Sequence, residues 1–205
     1  NKSKEVANYL LSHPKIDPNA TTEAQNLKVK YFQMTPLHIV ALHQIVDICE
    51  SLLKHNQIDV NKPIKKNLIT PLMTAASNNS VEIVNLLLNN SSININLIDI
   101  KGQNALHYAV LANSLESVKN LALHGIDLNV TEKEKNMTPL LLAVENNKVD
   151  FVRYFCSLDE KYKLDFLIKD IFGILNLLFI NQNAFLLAAR KCNLDMIKCF
   201  LQKDP

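Results

Sequence analysis

Apolar positions along the chain form two kinds of stretch that alternate and recur at a nearly fixed spacing. The first kind is short and rich in alanine: "TPLHIVA" begins at 35, "TPLMTAA" at 70, "NALHYAV" at 104, "TPLLLAV" at 138 and "NAFLLAA" at 183, giving steps of 35, 34, 34 and 45 residues. In the second kind, such as "VEIVNLLL" from 81, apolar residues recur at i, i+3, i+4 and i+7, the spacing of an amphipathic helix. Repetition at this period predicts a stack of similar helical units.

A third, extended motif closes most of these units. It reads "IDVN" from 58, "ININ" from 93 and "IDLN" from 126, with "LDFL" from 164 as a degraded copy. An earlier "IDPN" from 16 follows "VANYLL", a second helix with no first helix before it. We therefore predict a single domain over 1–205, with a half unit at 1–19 and full units from about 31, 66, 100, 134 and 179. The uneven spacing predicts insertions at 20–30 and 166–178, which must lie in surface loops because stacked helices leave no room for them.

The residues at the helix ends suit this arrangement. Threonine opens three of the units and can cap the first helix, and the proline after it needs no N–H partner in the first turn. The link between the two helices of a unit requires positive φ, and Asn79, Asn113 and Asn147 occupy that place. Asparagine is the best non-glycine residue for left-handed backbone, which suits a chain with only three glycines. Small residues that allow close helix packing are Ala41, Ala75, Ala76, Ala109, Ala143, Ala188 and Ala189.

These motifs resemble the ankyrin repeat. The family pattern "G-x-T-P-L-H-x-A", then "I-V-x-L-L-L", then "G-A-D-V-N" is matched in pieces over almost the whole chain, and Gly102 and Gly125 stand at two of its glycine positions. No unit is complete, because Asn or Gln replaces most of the glycines. The resemblance implies an all-α repeat solenoid, an ankyrin-type helix-turn-helix stack with hairpin loops, of about five full repeats and an N-terminal half repeat. It also implies that His38 and His107 are structural residues that hold the turn by hydrogen bonds.

The resemblance further implies a binding face built from hairpin tips and the exposed side of each first helix. Some of its members are apolar, which is typical of a contact surface unless neighbouring insertions cover them. The residues carried over to this face are Tyr31, Phe32, Met34, Leu42, His43, Lys66, Asn67, Ile69, Asn78, Lys101, Gln103, Glu134, Lys135, Met137, Glu145, Arg190 and Lys191.

The composition and the spacing of particular residues argue against several classes of partner and of chemistry. A formal net charge of +2 on 205 residues, with scattered lysines, argues against nucleic acid as the partner. Neither Cys49 nor the other cysteines form a C-x-x-C pair or a ligand-like spacing with histidine, so no metal, cofactor or disulfide framework is predicted, and a reducing cytoplasm is expected. No run reaches the ~18 apolar residues of a membrane span. There is no phosphate loop, and no third group stands near Cys49 to make it a nucleophile.

We therefore predict a monomeric, non-enzymatic module with no catalytic residues, which binds another protein through this face and the insertions. The alternative is a substrate-recruiting segment of a larger enzyme, or of a secreted effector of an intracellular pathogen acting in the host cytosol. The absence of a starting methionine suggests an excised piece of a longer protein. The apolar stretch 166–180 is expected to pack on the last units, with partner docking and a membrane surface as the other possibilities.

Overall fold

The computed structural model describes residues 2–13, 15–22, 33–162, 184–191 and 193–201. These residues form α-helices and turns and contain no β-strand, so the predicted all-α class is confirmed. The helices are α1 (Lys2–Leu11), α2 (Pro36–His43), α3 (Val46–Leu53), α4 (Pro71–Ser77), α5 (Val81–Leu88), α6 (Ala105–Leu111), α7 (Leu115–Leu123), α8 (Pro139–Glu145), α9 (Val149–Tyr162), α10 (Ala184–Arg190) and α11 (Leu194–Leu201). The apolar stretch 166–180 and most of the insertion predicted at 20–30 lie outside the described residues.

The helices stack in two rows. The short helices α2, α4, α6, α8 and α10 pack on one another in chain order and form the inner row. The helices α3, α5, α7, α9 and α11 form the outer row, and each also packs on the inner helix that precedes it. Helix α1 packs against α3, at the start of the outer row. The core lies between the two rows and runs continuously through the stack.

The inner helices begin at the polar residues that the sequence indicates. The Oγ1 atoms of Thr70 and Thr138 accept hydrogen bonds from the third helical N–H, at 3.3 and 3.2 Å, and Asn104 Oδ1 does so at 3.3 Å. Proline follows both threonines at the first helical position, where no N–H partner is needed. Each such cap contributes about 1 kcal/mol to helix stability.

The links between inner and outer helices have left-handed backbone, as predicted. Asn79, Asn113 and Asn147 have φ of 54°, 60° and 58°. Gln44 takes the same conformation in the first link, with φ of 57°, which the sequence did not indicate. The residue after Asn79 donates its N–H back to Ala75 O at 3.0 Å, which closes the helix end.

Small side chains bring the two rows together. Ala41, Ala75, Ala76, Ala109, Ala143 and Ala188 have no exposed surface, as their place in the pattern predicts, and only Ala189 of the predicted set is half-buried. Large apolar residues such as Leu37, Leu106 and Phe155 fill the space beside them. The fold is therefore stabilised chiefly by apolar burial along the stack.

Asparagine side chains of the extended motif join successive units. Asn61 Oδ1 accepts the N–H of Asn94 at 2.8 Å, and its Nδ2 donates to Ser92 O at 2.7 Å. Asn19 bridges in the same way to the loop of the next unit, accepting from Asp59 N at 2.7 Å. These bonds fix the spacing of neighbouring units on the side of the stack where the loops lie.

Candidate protein-binding face

Three hairpins between units are described in full. Each is closed by a backbone hydrogen bond across its base: Ile64 N to Ile69 O at 2.8 Å, Asp99 N to Gln103 O at 2.9 Å, and Glu132 N to Met137 O at 3.0 Å. The residue two places before each capping residue has positive φ: Leu68 (60°), Gly102 (79°) and Asn136 (55°). We call these three loops, over 64–69, 98–103 and 132–137, the hairpin row.

Backbone hydrogen bonds join neighbouring hairpins of this row. Ile100 N donates to Asn67 O at 3.1 Å, and Lys133 N donates to Lys101 O at 2.8 Å. The hairpin tips are therefore bonded edge to edge through the main chain. Because these bonds are made by main-chain atoms, they hold neighbouring hairpins together whichever side chains the loops expose.

Two acidic residues of the hairpin row, Asp99 and Glu132, are buried and accept hydrogen bonds from backbone amides. Asp99, 3% exposed, accepts from Lys101 N at 2.9 Å, from Gln103 N at 2.8 Å and from Tyr108 Oη at 2.8 Å. Glu132, 7% exposed, accepts from Glu134 N and Lys135 N, both at 2.7 Å. Burial, together with the bond to Asp99, raises the pKa of Tyr108 above its ordinary value. Both carboxylates thus serve to shape the loops.

Lysines of the same loops are exposed, and Lys133 Nζ also donates to Ile100 O of the neighbouring hairpin at 3.1 Å. Lys65, Lys66, Lys101, Lys133 and Lys135 are all exposed, and the acidic residue exposed beside them in these loops is Glu134. Five lysines against three carboxylates, two of which lie below the surface, give the row a net positive charge.

Exposed aliphatic side chains lie beside these lysines. Leu68, Ile98 and Ile100 are 42%, 45% and 49% exposed. Leu68 and Ile98 line a mostly apolar cleft of about 320 Å³ between the first and second full units. The remaining lining residues of this cleft are Asn61, Pro63, Thr70, Asn94 and Leu97.

Most of the face residues predicted from the resemblance are at least partly accessible where they are described. Exposed side chains are those of His43, Lys66, Lys101, Glu134, Lys135 and Lys191. Half-buried side chains are those of Met34, Leu42, Asn67, Ile69, Asn78, Gln103 and Glu145. Tyr31 and Phe32 lie outside the described residues, as does the side chain of Arg190, whose backbone ends α10. Lys191 and Glu145 pair at 3.3 Å between the last two inner helices.

Met137 was wrongly predicted as a contact residue. Its side chain is 7% exposed and belongs to the core, and its carbonyl oxygen accepts a hydrogen bond from His107 Nε2 at 3.1 Å. That bond from the preceding unit helps to hold the residue against the stack. Ile69 is held in the same way by His38 Nε2 at 3.0 Å and is half-buried.

The two motif histidines are structural, as the resemblance implies. His38 has no exposed surface, its Nδ1 accepts from Thr35 N at 3.2 Å, and its Nε2 therefore carries the proton donated to Ile69 O. Burial lowers the pKa of His38 to about 4, against a partial opposing effect of the Ile69 bond. Burial also lowers the pKa of His107. Neither ring reaches solvent, so neither is placed to act as a base on a bound molecule.

A cysteine nucleophile and a metal site are the other kinds of chemistry that the residue types raise. Burial, with a smaller effect from Glu50, raises the pKa of the Cys49 thiol to about 12, so almost no nucleophilic thiolate is present near neutral pH. Within the described ranges, no group of three His, Cys, Asp or Glu side chains could hold a metal ion. In the same part of the chain, no helix has both the length and the apolar content needed to cross a membrane.

Sequence reasoning missed part of the exposed hairpin surface. Lys65, Lys133, Leu68 and Ile98 were not among the predicted residues. Leu68 could have been found, because it stands at the position that Gly102 and Asn136 fill in the next two hairpins. A leucine where the backbone favours glycine is a signal that can be read from the aligned repeats alone.

Paired helices stacked in two rows, with a rigid loop face along one side, define the molecule as a repeat solenoid of the helix-turn-helix class. Residues 1–99, 62–132 and 91–170 match the family model described as "Ankyrin repeats (3 copies)". The chain belongs to the ankyrin repeat family. It is also similar to the nuclear factor NF-kappa-B p105 subunit of Gallus gallus, with 34% identity over 125 residues. That alignment covers 60% of this chain and 12% of the relative's length.

Proposed function

We propose that this chain is a non-catalytic module that binds a partner protein through the hairpin row, the adjacent inner-helix surface and the insertions. The observation that carries the proposal is the main-chain bonding of successive hairpins, which holds exposed lysines and aliphatic side chains in fixed positions. A preorganised surface of this kind loses little conformational freedom when a partner binds. Ankyrin repeats are in general protein–protein interaction modules.

The inner helices extend this face. Leu111, at the end of α6, is 47% exposed, and Leu42 and Asn78 occupy comparable helix-end positions with partial exposure. Exposed aliphatic residues next to polar ones are the composition expected at the centre and rim of a protein contact. The relative's name describes it as a subunit, a component of a protein assembly, which agrees with this role.

The setting proposed for the module is a reducing cytoplasm, with the chain acting as a monomer and with no nucleic acid or cofactor. Cys49, Cys156 and Cys199 are buried in separate helices, as reduced cysteines commonly are. Buried thiols contribute to packing, so replacing them is expected to change stability and to leave partner binding intact.

Site-specific photo-crosslinking tests the proposal. A photoreactive amino acid at Leu111, on the inner row, should capture a partner protein in extracts of the source cells. The matched control is the same amino acid at Leu123, which is 67% exposed at the end of the outer helix α7. Capture of the same proteins with equal yield from both positions, or only from Leu123, would contradict the proposed face.

A second candidate function is favoured by the short coverage of the relative. The aligned region spans only 12% of that protein, so a module of this kind can form a small part of a longer chain. A larger enzyme, or a secreted effector acting in a host cytosol, would use the same face to hold its substrate. The test is to delete 33–162 from the full-length protein and measure its activity on a protein substrate and on a small model substrate. Loss of the first alone would support recruitment.

A further inference from the structure

We propose that the hairpin row recognises an acidic protein segment carrying one large apolar side chain, which enters the cleft between the first and second full units. This inference rests on the proposed function and adds the chemistry of the partner. The two features that define the segment are the exposed lysines of the row and the aliphatic cleft beside them.

The charge of the row is unbalanced although the chain as a whole is nearly neutral. The formal net charge of the full sequence is +2, yet the three hairpins expose Lys65, Lys66, Lys101, Lys133 and Lys135 against Glu134. Asp99 and Glu132 reduce this excess without cancelling it, and because they accept backbone N–H bonds underneath the loops they present almost no carboxylate to a partner. A negatively charged segment lying along the row therefore meets positive charge on all three hairpins, while a basic one is repelled.

The cleft sets a second requirement. Leu68 and Ile98 contribute aliphatic side chains that are 42% and 45% exposed, and Pro63 and Leu97 complete the apolar part of the lining. Leu68 has φ of 60°, a conformation that leucine rarely adopts, and the hairpin fold itself is formed equally well with Gly102 or Asn136 at the same place. A leucine here adds apolar surface beside the lysines, which suits an anchoring side chain from a partner.

The same features favour protein over nucleic acid. Single-stranded nucleic acids are held by stacking of bases on aromatic rings as well as by lysine and arginine. The described hairpin row has no aromatic residue, and its cleft is lined by aliphatic groups. Phosphates would be attracted to the lysines and would leave this apolar surface uncovered.

Selection from a randomised peptide library tests the inference. The intact chain is immobilised, and the enriched peptides are synthesised and titrated by fluorescence anisotropy. We expect enrichment of Asp and Glu around one large apolar residue. Binding should weaken at least tenfold, about 1.4 kcal/mol, in the double variant Lys66→Glu/Lys101→Glu, and should weaken as salt is raised. The matched control is Lys54→Glu/Lys119→Glu, the same charge change at the C-terminal cap of α3 and within α7, which should retain affinity within about twofold.

A third variant separates the cleft from the charge. Leu68→Asn keeps a residue suited to positive φ and removes the apolar side chain, so it should weaken peptides with the apolar residue and leave their serine-substituted versions unchanged. Thermal melts of every variant verify folding.

Several results would overturn the inference. These are enrichment of neutral or basic peptides, no enrichment, equal binding by the Lys66→Glu/Lys101→Glu variant, or tighter binding of a single-stranded oligonucleotide at the same lysines. Self-association abolished by the same reversal would assign the row to a second copy of the chain and would also overturn it. If any of these occurs while crosslinking from Leu111 still captures a protein, the partner chemistry is wrong and the proposed function stands. If crosslinking from Leu111 also captures no protein, both the proposed function and the proposed partner chemistry are contradicted.

Discussion

Acidification should destabilise the fold through His38. Its pKa is about 4 in the folded chain, against about 6.5 for an unfolded histidine, because burial disfavours the charged ring. The unfolded state therefore binds more protons as pH falls below about 6.5, and stability is lost progressively down to about pH 4. With 1.36 kcal/mol per pKa unit, the full loss is about 3 kcal/mol, of which about 2 kcal/mol is lost by pH 5. Protonation of Nδ1 would also break the bond that it accepts from Thr35 N.

Urea unfolding followed by circular dichroism at several values between pH 7.5 and 5 measures this effect. The variant His38→Gln cannot gain a proton, so it should start less stable at pH 7.5 and then lose about 2 kcal/mol less than the parent on going to pH 5. The same substitution at His43, which is exposed at the end of the same helix, is the matched control for replacing a histidine by glutamine. Equal losses of stability for the parent and His38→Gln would refute the assignment of this histidine as a buried neutral group.

Four further predictions concern stability and are checked by the same urea titrations. Leu106→Ala, with no exposed surface, should cost about 2–5 kcal/mol, and Leu10→Ala, 49% exposed at the end of the stack, clearly less. Gly102→Ala should cost about 1–2 kcal/mol, since φ is 79° and a Cβ would meet a backbone oxygen at 3.1 Å. Asn61→Ala should cost about 1–2 kcal/mol because two bonds between units are lost. Leu68→Asn should change stability by less than about 1 kcal/mol, because relief of backbone strain offsets the lost half-burial.

Each of these predictions has a result that contradicts it. A loss of clearly more than about 1 kcal/mol in Leu68→Asn would mean that the apolar contacts of this leucine outweigh its backbone strain. Equal costs at Leu106 and Leu10 would mean that stability is not distributed along the stack as its geometry indicates. A neutral Gly102→Ala would mean that the hairpin tolerates a side chain at positive φ without strain. An unchanged Asn61→Ala would show that apolar packing alone sets the spacing of units.

The fold was predictable because its signals are local and repeated. The apolar spacing, the capping threonines and the three asparagines at the helix links each occur several times in phase. A unit whose motif is degraded can therefore be recognised from its position relative to the others. Asn79, Asn113 and Asn147 took positive φ as predicted because the link allows no other backbone and the sequence offers no glycine there.

The orientation of hairpin side chains was not predictable in the same way. Met137 and Ile100 are both apolar residues of hairpin loops, yet Met137 is 7% exposed and Ile100 is 49% exposed. Met137 directly precedes the capping Thr138, and its carbonyl oxygen accepts from His107 of the preceding unit, whereas Ile100 lies in the middle of its loop and donates its N–H to Asn67 O. Sequence patterns within one hairpin contain no information about such contacts across units.

The residues that identify the family are therefore poor candidates for its binding function in this chain. The hydrogen-bonding groups of these residues already cap helices or join one unit to the next, as in His38, His107, Thr70 and Asn61. The first three of them are also buried. A partner can contact only the side chains that are exposed and not used in these bonds. Because the main chain of the hairpins is fixed by the bonded residues, the intervening positions can change without disturbing the stack. Under the proposed function, specificity lies in those positions, which in the described hairpins are lysines and aliphatic residues such as Leu68.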